Sequence, residues 1–167
     1  MRMNTAVLGL VLSVGVLACR PAAIGNSAEV PVCSQWNWSL AVVEAQLVSF
    51  SPTEEYRLKD GTTYPLSRVV LEVSEVYKGS VSVGRLNAYA GHGIDALGNS
   101  EHGDMRNAKG IFWLRDLDGT LGYAGPGFSR EEAPGTFAQT VTTREPKNLS
   151  RDDLRNLASK CATVASE

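Results

Sequence analysis

The chain has 167 residues, of which 43% are apolar and 20% charged, and its 16 basic and 18 acidic side chains leave a formal charge of -2. That is an ordinary globular composition, and it is too short for two full domains with separate cores. Scattered Lys and Arg residues without a net positive charge give no broad electrostatic reason to bind nucleic acid or an anionic membrane.

The chain opens with Met1-Arg2-Met3-Asn4-Thr5, then an apolar stretch over residues 6–18 broken only by two glycines and Ser13. A helix needs about 20 apolar residues to cross a bilayer core, so these 13 have the length of the apolar region of a secretory signal. No later stretch is long or apolar enough to span. The stretch ends in Val16-Leu17-Ala18-Cys19, which resembles the lipobox of bacterial lipoproteins: a branched residue, a small residue before the cut, then cysteine. The resemblance implies cleavage after Ala18, a diacylglycerol thioether on Cys19 and an acylated amine. Each buried methylene contributes about 0.8 kcal/mol, so two or three such chains make release from a membrane negligible. A cleaved, freely secreted chain, with Ala28 as another cleavage point, is the competing reading. Arg20 stands where the enteric members of that family carry Asp for inner-membrane retention, which points to the outer membrane. Residues 20–32 hold Pro21, Gly25-Asn26 and Pro31 with no helical or alternating pattern, so they read as a tether reaching at most ~45 Å. The expected organisation is a signal peptide over 1–18, a lipidated cysteine and tether over 19–32, and one domain over 33–167.

Export places Cys33 and Cys161 in an oxidising compartment, where a disulfide is the default use of two cysteines; ligation of a metal by two thiolates is the weaker reading. Residues 40–50 alternate, with Ala41, Val43, Ala45 and Leu47 on one face and Glu44 and Gln46 on the other, which predicts a half-buried strand. Asp60-Gly61 marks a turn. Residues 68–77 repeat the alternation through Val69, Leu71 and Val73, and it slips between Val73 and Val76, where a bulge would bend the strand. After Lys78-Gly79 come a third strand over 85–90 with Leu86 and Ala88 inward, and a fourth over 111–115. Asp118-Gly119 turns the fourth into a fifth over 120–124. Leu154, Leu157, Ala158 and Cys161 then fall at helical spacing, behind Ser150 as cap and Asp153 as its capping-box partner. Cys161 lies on the apolar stripe and points inward, the orientation that a bridge to Cys33 requires. Short strands at this spacing predict an antiparallel barrel or sandwich closed by a helix.

This order resembles the netrin-like domain, the OB-type barrel shared with the N-terminal half of tissue inhibitors of metalloproteinases. The residues that carry the resemblance are a cysteine before the first strand, Val73-Ser74-Glu75-Val76-Tyr77-Lys78-Gly79 closing the second, the Gly119 hairpin, and Leu149-Ser150 opening a helix that ends in Cys161. It implies a mainly β fold: a small antiparallel OB-like β-barrel with a C-terminal α-helix. In the inhibitors an N-terminal cysteine chelates the protease zinc through its amine and carbonyl. Here Cys33 is internal and followed by Ser34-Gln35, and an acylated amine on Cys19 is a poor zinc donor, so the barrel is expected without the inhibitory mechanism.

Residues 91–107 form the most polar and glycine-rich segment, with His92, Asp95, Glu101, His102 and Asp104 close in sequence. Imidazole and carboxylate suit zinc if three or four converge within about 2.0–2.2 Å, and a surface loop explains the same residues without a metal. Asp116-Leu117-Asp118-Gly119 begins like a calcium loop, lacks its later ligands and reads as a hairpin turn. Gly127-Phe128-Ser129-Arg130-Glu131 lacks the second glycine of a nucleophile elbow and reads as part of a Pro-rich loop. Trp36 and Trp38 share a face if their segment is extended, as a recognition surface for sugar or peptide or as a plug at one end of the barrel. No cofactor is expected. The sequence therefore leads to a lipid-anchored cell-envelope protein acting as a binding or scaffolding module. Its expected partner is another envelope protein, not nucleic acid. A metal-dependent hydrolase built on the His92 and His102 loop, and a protease inhibitor, stand as alternatives.

Overall fold

The computed structural model describes residues 32–91, 93–100, 103–117, 119–123, 127–138 and 148–162. A short helix α1 (Val32–Trp38) leads into β1 (Ala41–Phe50), β2 (Glu54–Arg57), β3 (Thr63–Lys78), β4 (Gly84–Ala90), β5 (Asn99–Ser100) and β6 (Gly103–Asp104). They are followed by β7 (Lys109–Leu117), β8 (Thr120–Tyr123), β9 (Phe128–Ala133), β10 (Thr136–Ala138), β11 (Asn148–Ser150) and the helix α2 (Arg151–Ala162). The fold is mainly β with a C-terminal helix, as the alternating strands and the final helical stripe predict. Among the described residues, no helix is long and apolar enough to cross a membrane.

Five strands close into a barrel-like ring in the order β1-β3-β4-β8-β7, with β7 returning to β1. A ring of five cannot alternate direction at every seam, so the antiparallel expectation fails at one place. That seam is β4 against β8, which run parallel through Tyr89↔Gly122 and Ala90↔Tyr123. The slip expected near Val73 is present: the pairing passes from Ala45↔Val73 to Glu44↔Glu75, leaving Ser74 unpaired, and a second shift leaves Tyr77 out between Val76 and Lys78. These bulges bend the 16-residue β3 around the ring. The strand starts earlier than its alternation suggests because Thr63 to Leu66 form a hairpin with β2, whose turn is held by the Thr62 N–H donating to Asp60 Oδ1 at 2.8 Å. Gly79 then ends β3 at φ 96°, where a Cβ would lie 2.4 Å from the Leu40 carbonyl oxygen, so no larger residue fits the turn.

Inside the ring, Val43, Leu47, Leu71, Phe112, Leu114 and Phe128 pack with their neighbours into one core. A second core lies outside it. Val42, Ile111 and Trp113 point away from the ring and are covered by Trp36, Phe137, Leu149, Leu154 and Leu157. The first half of β1 is therefore buried on both faces, where its alternation predicts one, because α1, α2 and the β10–β11 pair cover the outer face of β1 and β7.

α2 is seated by the expected capping box: the Asp153 N–H donates to Ser150 Oγ and the Ser150 N–H to Asp153 Oδ2, each at 3.1 Å. Leu154, Leu157 and Cys161 face inward, while Ala158, expected on the same stripe, stays exposed. Cys33 and Cys161 form the disulfide, with Cα atoms 5.1 Å apart across 128 positions of sequence, and it ties α1 to α2 over the second core. Two local readings change. Residues 32–38 are helical, not extended. Phe128–Ala133 is strand β9, not loop, because it pairs with β7 through Gly110↔Arg130 and Phe112↔Phe128.

Candidate functional site

The outer face of β3 and β4 carries a groove. Val69, Leu71 and Ala88 turn into the core, so the residues between them turn out, and the register sets Arg68 opposite Tyr89 and Val70 opposite Asn87. Arg68, Asn87 and Tyr89, with Ser49 and Ser51 at the end of β1 and Thr120 at the start of β8, enclose about 490 Å³. This lies within the range of small-ligand sites. The Tyr56 ring from β2 lies against Tyr89, with centroids 5.5 Å apart. Arg68 is exposed, and among the described residues it makes no ion pair and no carboxylate lines the groove. Its walls offer one guanidinium, one amide, hydroxyls and an aromatic face, a set that orients a ligand carrying an anion and an apolar part.

A second recess, of about 430 Å³, lies where β1, β3, β9 and α2 meet, and there Arg151 is matched to carboxylates. Arg151 forks onto Glu44, and the Tyr77 hydroxyl lies 2.9 Å from Glu44 Oε2 and 3.1 Å from Glu75 Oε2. Arg155 continues the chain from Glu75 to Asp152. The Arg151 hydrogen bond holds the Glu44 carboxyl below its ordinary range against the opposing effect of burial. Burial, then the hydrogen bond to the Glu44 carboxylate, raises Tyr77 well above the usual phenol, so its proton stays in place as a donor. This recess is a clasp between helix and ring.

Of the carboxylates read as metal ligands, Asp95 accepts from the Leu97 and Asn99 N–H groups, each at 2.8 Å, which makes it the pivot of the turn before β5. Asp104 is held by the Arg106 Nε and Nη2, and that contact lowers its pKa to about 2. Both carboxylates are engaged in building the β5–β6 hairpin. His92, Glu101 and His102 lie outside the described residues, and among the described residues no three metal-binding side chains gather. Asp116 Oδ1 accepts the Gly119 N–H at 2.6 Å, which makes this segment the expected hairpin turn; Asp118 lies outside the described residues. Ser129 is no exposed nucleophile: it is 1% accessible and accepts the indole N–H of Trp113 at 3.1 Å.

The two tryptophans read as a pair are separated by the helix. Residues two apart on a helix point to different sides, so Trp36 enters the second core while Trp38 stays in solvent beneath the Arg115 guanidinium, 5.4 Å from its ring centre. The groove residues themselves leave no motif in the sequence. Arg68, Asn87 and Tyr89 read there as the polar side of ordinary strands, and the strand register is what brings them together.

Comparison of the chain with protein-family models, with curated proteins and with solved structures finds no match in any of the three.

Proposed function

We propose that this chain is a lipid-anchored cell-envelope protein, held at Cys19, whose barrel-like domain is a binding module for another envelope protein. The ligand, a carboxylate-bearing segment of that partner, enters the groove of Arg68, Asn87 and Tyr89. The observation that supports this most is the contrast in charge matching. Arg106, Arg151 and Arg155 each hold a carboxylate of the domain, whereas Arg68, beside Tyr89 and Asn87, meets none among the described residues. An unmatched guanidinium next to an aromatic ring is the usual composition of an interface anchor. OB-type barrels bind ligands on the face of the second and third strands of the ring, the places that β3 and β4 occupy here. The anchor rests on the apolar leader and the Val16-Leu17-Ala18-Cys19 sequence.

The test is a photo-crosslinking residue at Asn87 in intact cells, followed by mass spectrometry of the crosslinked proteins and of the peptide that begins at Cys19. The expected result is an acylated Cys19 and a reproducible protein neighbour that Arg68→Glu abolishes. Cys19→Ala should move the protein into the soluble fraction. A mature chain that begins elsewhere and dissolves without detergent removes the anchor; an anchored chain with no reproducible neighbour removes the binding module.

A further inference from the structure

α1 ends in a small apolar surface that the described residues leave uncovered. Ser39 is buried, donating its hydroxyl to the Gln35 carbonyl at 2.7 Å and its N–H to the Gln35 and Trp36 carbonyls. The residues on either side of it are thereby turned outward, and Trp38 and Leu40 each keep 56% of their surface in solvent. Hiding a serine between an exposed indole and an exposed leucine reverses the ordinary partition of side chains. Two cations lie at this end of α1. The Arg115 guanidinium lies over the Trp38 ring, and Lys78 lies 5.5 Å from the centre of the Trp36 ring while donating to the Trp36 carbonyl at 2.5 Å. α1 carries no acidic residue.

We infer that this end of the domain seats on the bilayer surface, with Trp38 and Leu40 at the boundary of headgroups and acyl chains and with Arg115 and Lys78 among the phosphates. The inference rests on the reading that Cys19 is the lipid anchor. Twelve residues separate Cys19 from Val32, so the acyl chains hold α1 within ~45 Å of the membrane. At the millimolar effective concentration that a short tether creates, even a small patch is occupied. Its chemistry matches the interface: an amphipathic indole belongs at headgroup level, and long cationic side chains place their charge among the phosphates while their stems cover apolar surface. Two cations and an uncharged helix also complement anionic headgroups.

Of the three tryptophans, Trp36 and Trp113 are buried, at 6% and 0% accessibility, so Trp38 is the indole that lipid can reach. The test reconstitutes the acylated mature protein into phosphatidylethanolamine–phosphatidylglycerol vesicles with brominated acyl chains, and intact mass confirms the acyl groups. Tryptophan emission should be quenched relative to unbrominated vesicles, with the difference lost in Trp38→Phe and reduced in Leu40→Asp. An acylated, vesicle-bound protein whose Trp38 emission is unquenched by bromine and open to aqueous iodide would overturn the seating while leaving the anchor intact. A mature chain without acyl mass on Cys19 overturns the anchor and this inference with it.

Discussion

Arg151 and Glu44, 107 positions apart, meet side by side: Arg151 Nε donates to Glu44 Oε2 at 2.8 Å and Nη2 to Oε1 at 2.5 Å. The first residue of α2 is thereby fixed to the middle of β1. The Glu44 side chain is 13% accessible and that of Arg151 41%, so the pair is worth less than a fully buried one and more than a surface one. Glu44→Gln should cost about 1–2 kcal/mol in urea unfolding. Because the folded-state pKa of Glu44 is lowered, its contribution is present above the ordinary value of 4.5 and is lost as pH falls through the lowered value. Thermal unfolding of the wild type should therefore fall more steeply than that of Glu44→Gln as the pH drops from about 5 to about 3. Parallel acid profiles would remove this role.

The disulfide closes a loop of 128 positions, and cross-linking so long a segment removes much unfolded-state entropy. Reduction, or the double substitution Cys33→Ala with Cys161→Ala, should cost about 3–5 kcal/mol at most. The loss should show as a lower urea midpoint together with a change in Trp36 emission, since Trp36 packs in the same core as Cys161. A midpoint unmoved by dithiothreitol contradicts the bridge.

Two buried hydroxyls should respond in opposite ways. Ser129→Ala leaves the buried Trp113 N–H without its acceptor and should destabilise by about 1–3 kcal/mol. The Tyr123 ring packs against Phe112 and Phe128, and its buried hydroxyl has no hydrogen-bond partner among the described residues; burial alone raises its pKa. Tyr123→Phe should therefore be neutral or stabilising by up to about 1 kcal/mol. Paired denaturation curves separate the two, and equal losses would contradict the assignment.

Ser67 is fully buried and accepts the Ile94 N–H at 2.7 Å, while the Thr53 N–H donates to the Ile94 carbonyl at 3.0 Å. These bonds pin the segment after β4 to the ring. Ser67→Ala should cost about 1–2 kcal/mol and speed amide exchange at Ile94 more than at Leu71 in the ring interior. Uniform acceleration at both amides would mean that Ser67 contributes only to global stability.

The fold was legible where one residue pattern answers to one surface. Alternation through Val43 and Leu47, the slip after Val73, and the stripe of Leu154, Leu157 and Cys161 each reflect contact with a single core, so each reads directly from the order of residues. Alternation misleads at Val42, which meets the second core, and it misses β10 and β11, which are too short to show a period, and β9, whose residues from Phe128 to Ala133 do not alternate. The extended reading of Trp36 and Trp38 fails for a similar reason. A seven-residue segment has little preference of its own, and α1 is held by its disulfide and by Trp36 packing under α2.

The candidate groove was not legible at all. Arg68, Asn87, Tyr89 and Thr120 come from three strands, and nothing in their spacing announces that they converge. The sequence alone determined most strand faces, the closing helix, the cysteine pair and the apolar stretch over residues 6–18, because each follows from local periodicity or from counting residues of one kind. Only the tertiary structure decided that the ring closes through a parallel seam, that a second core lies outside it, and which polar side chains share a groove. Those outcomes depend on strand register and long-range closure, which fix side chains in space through contacts between residues far apart in the chain.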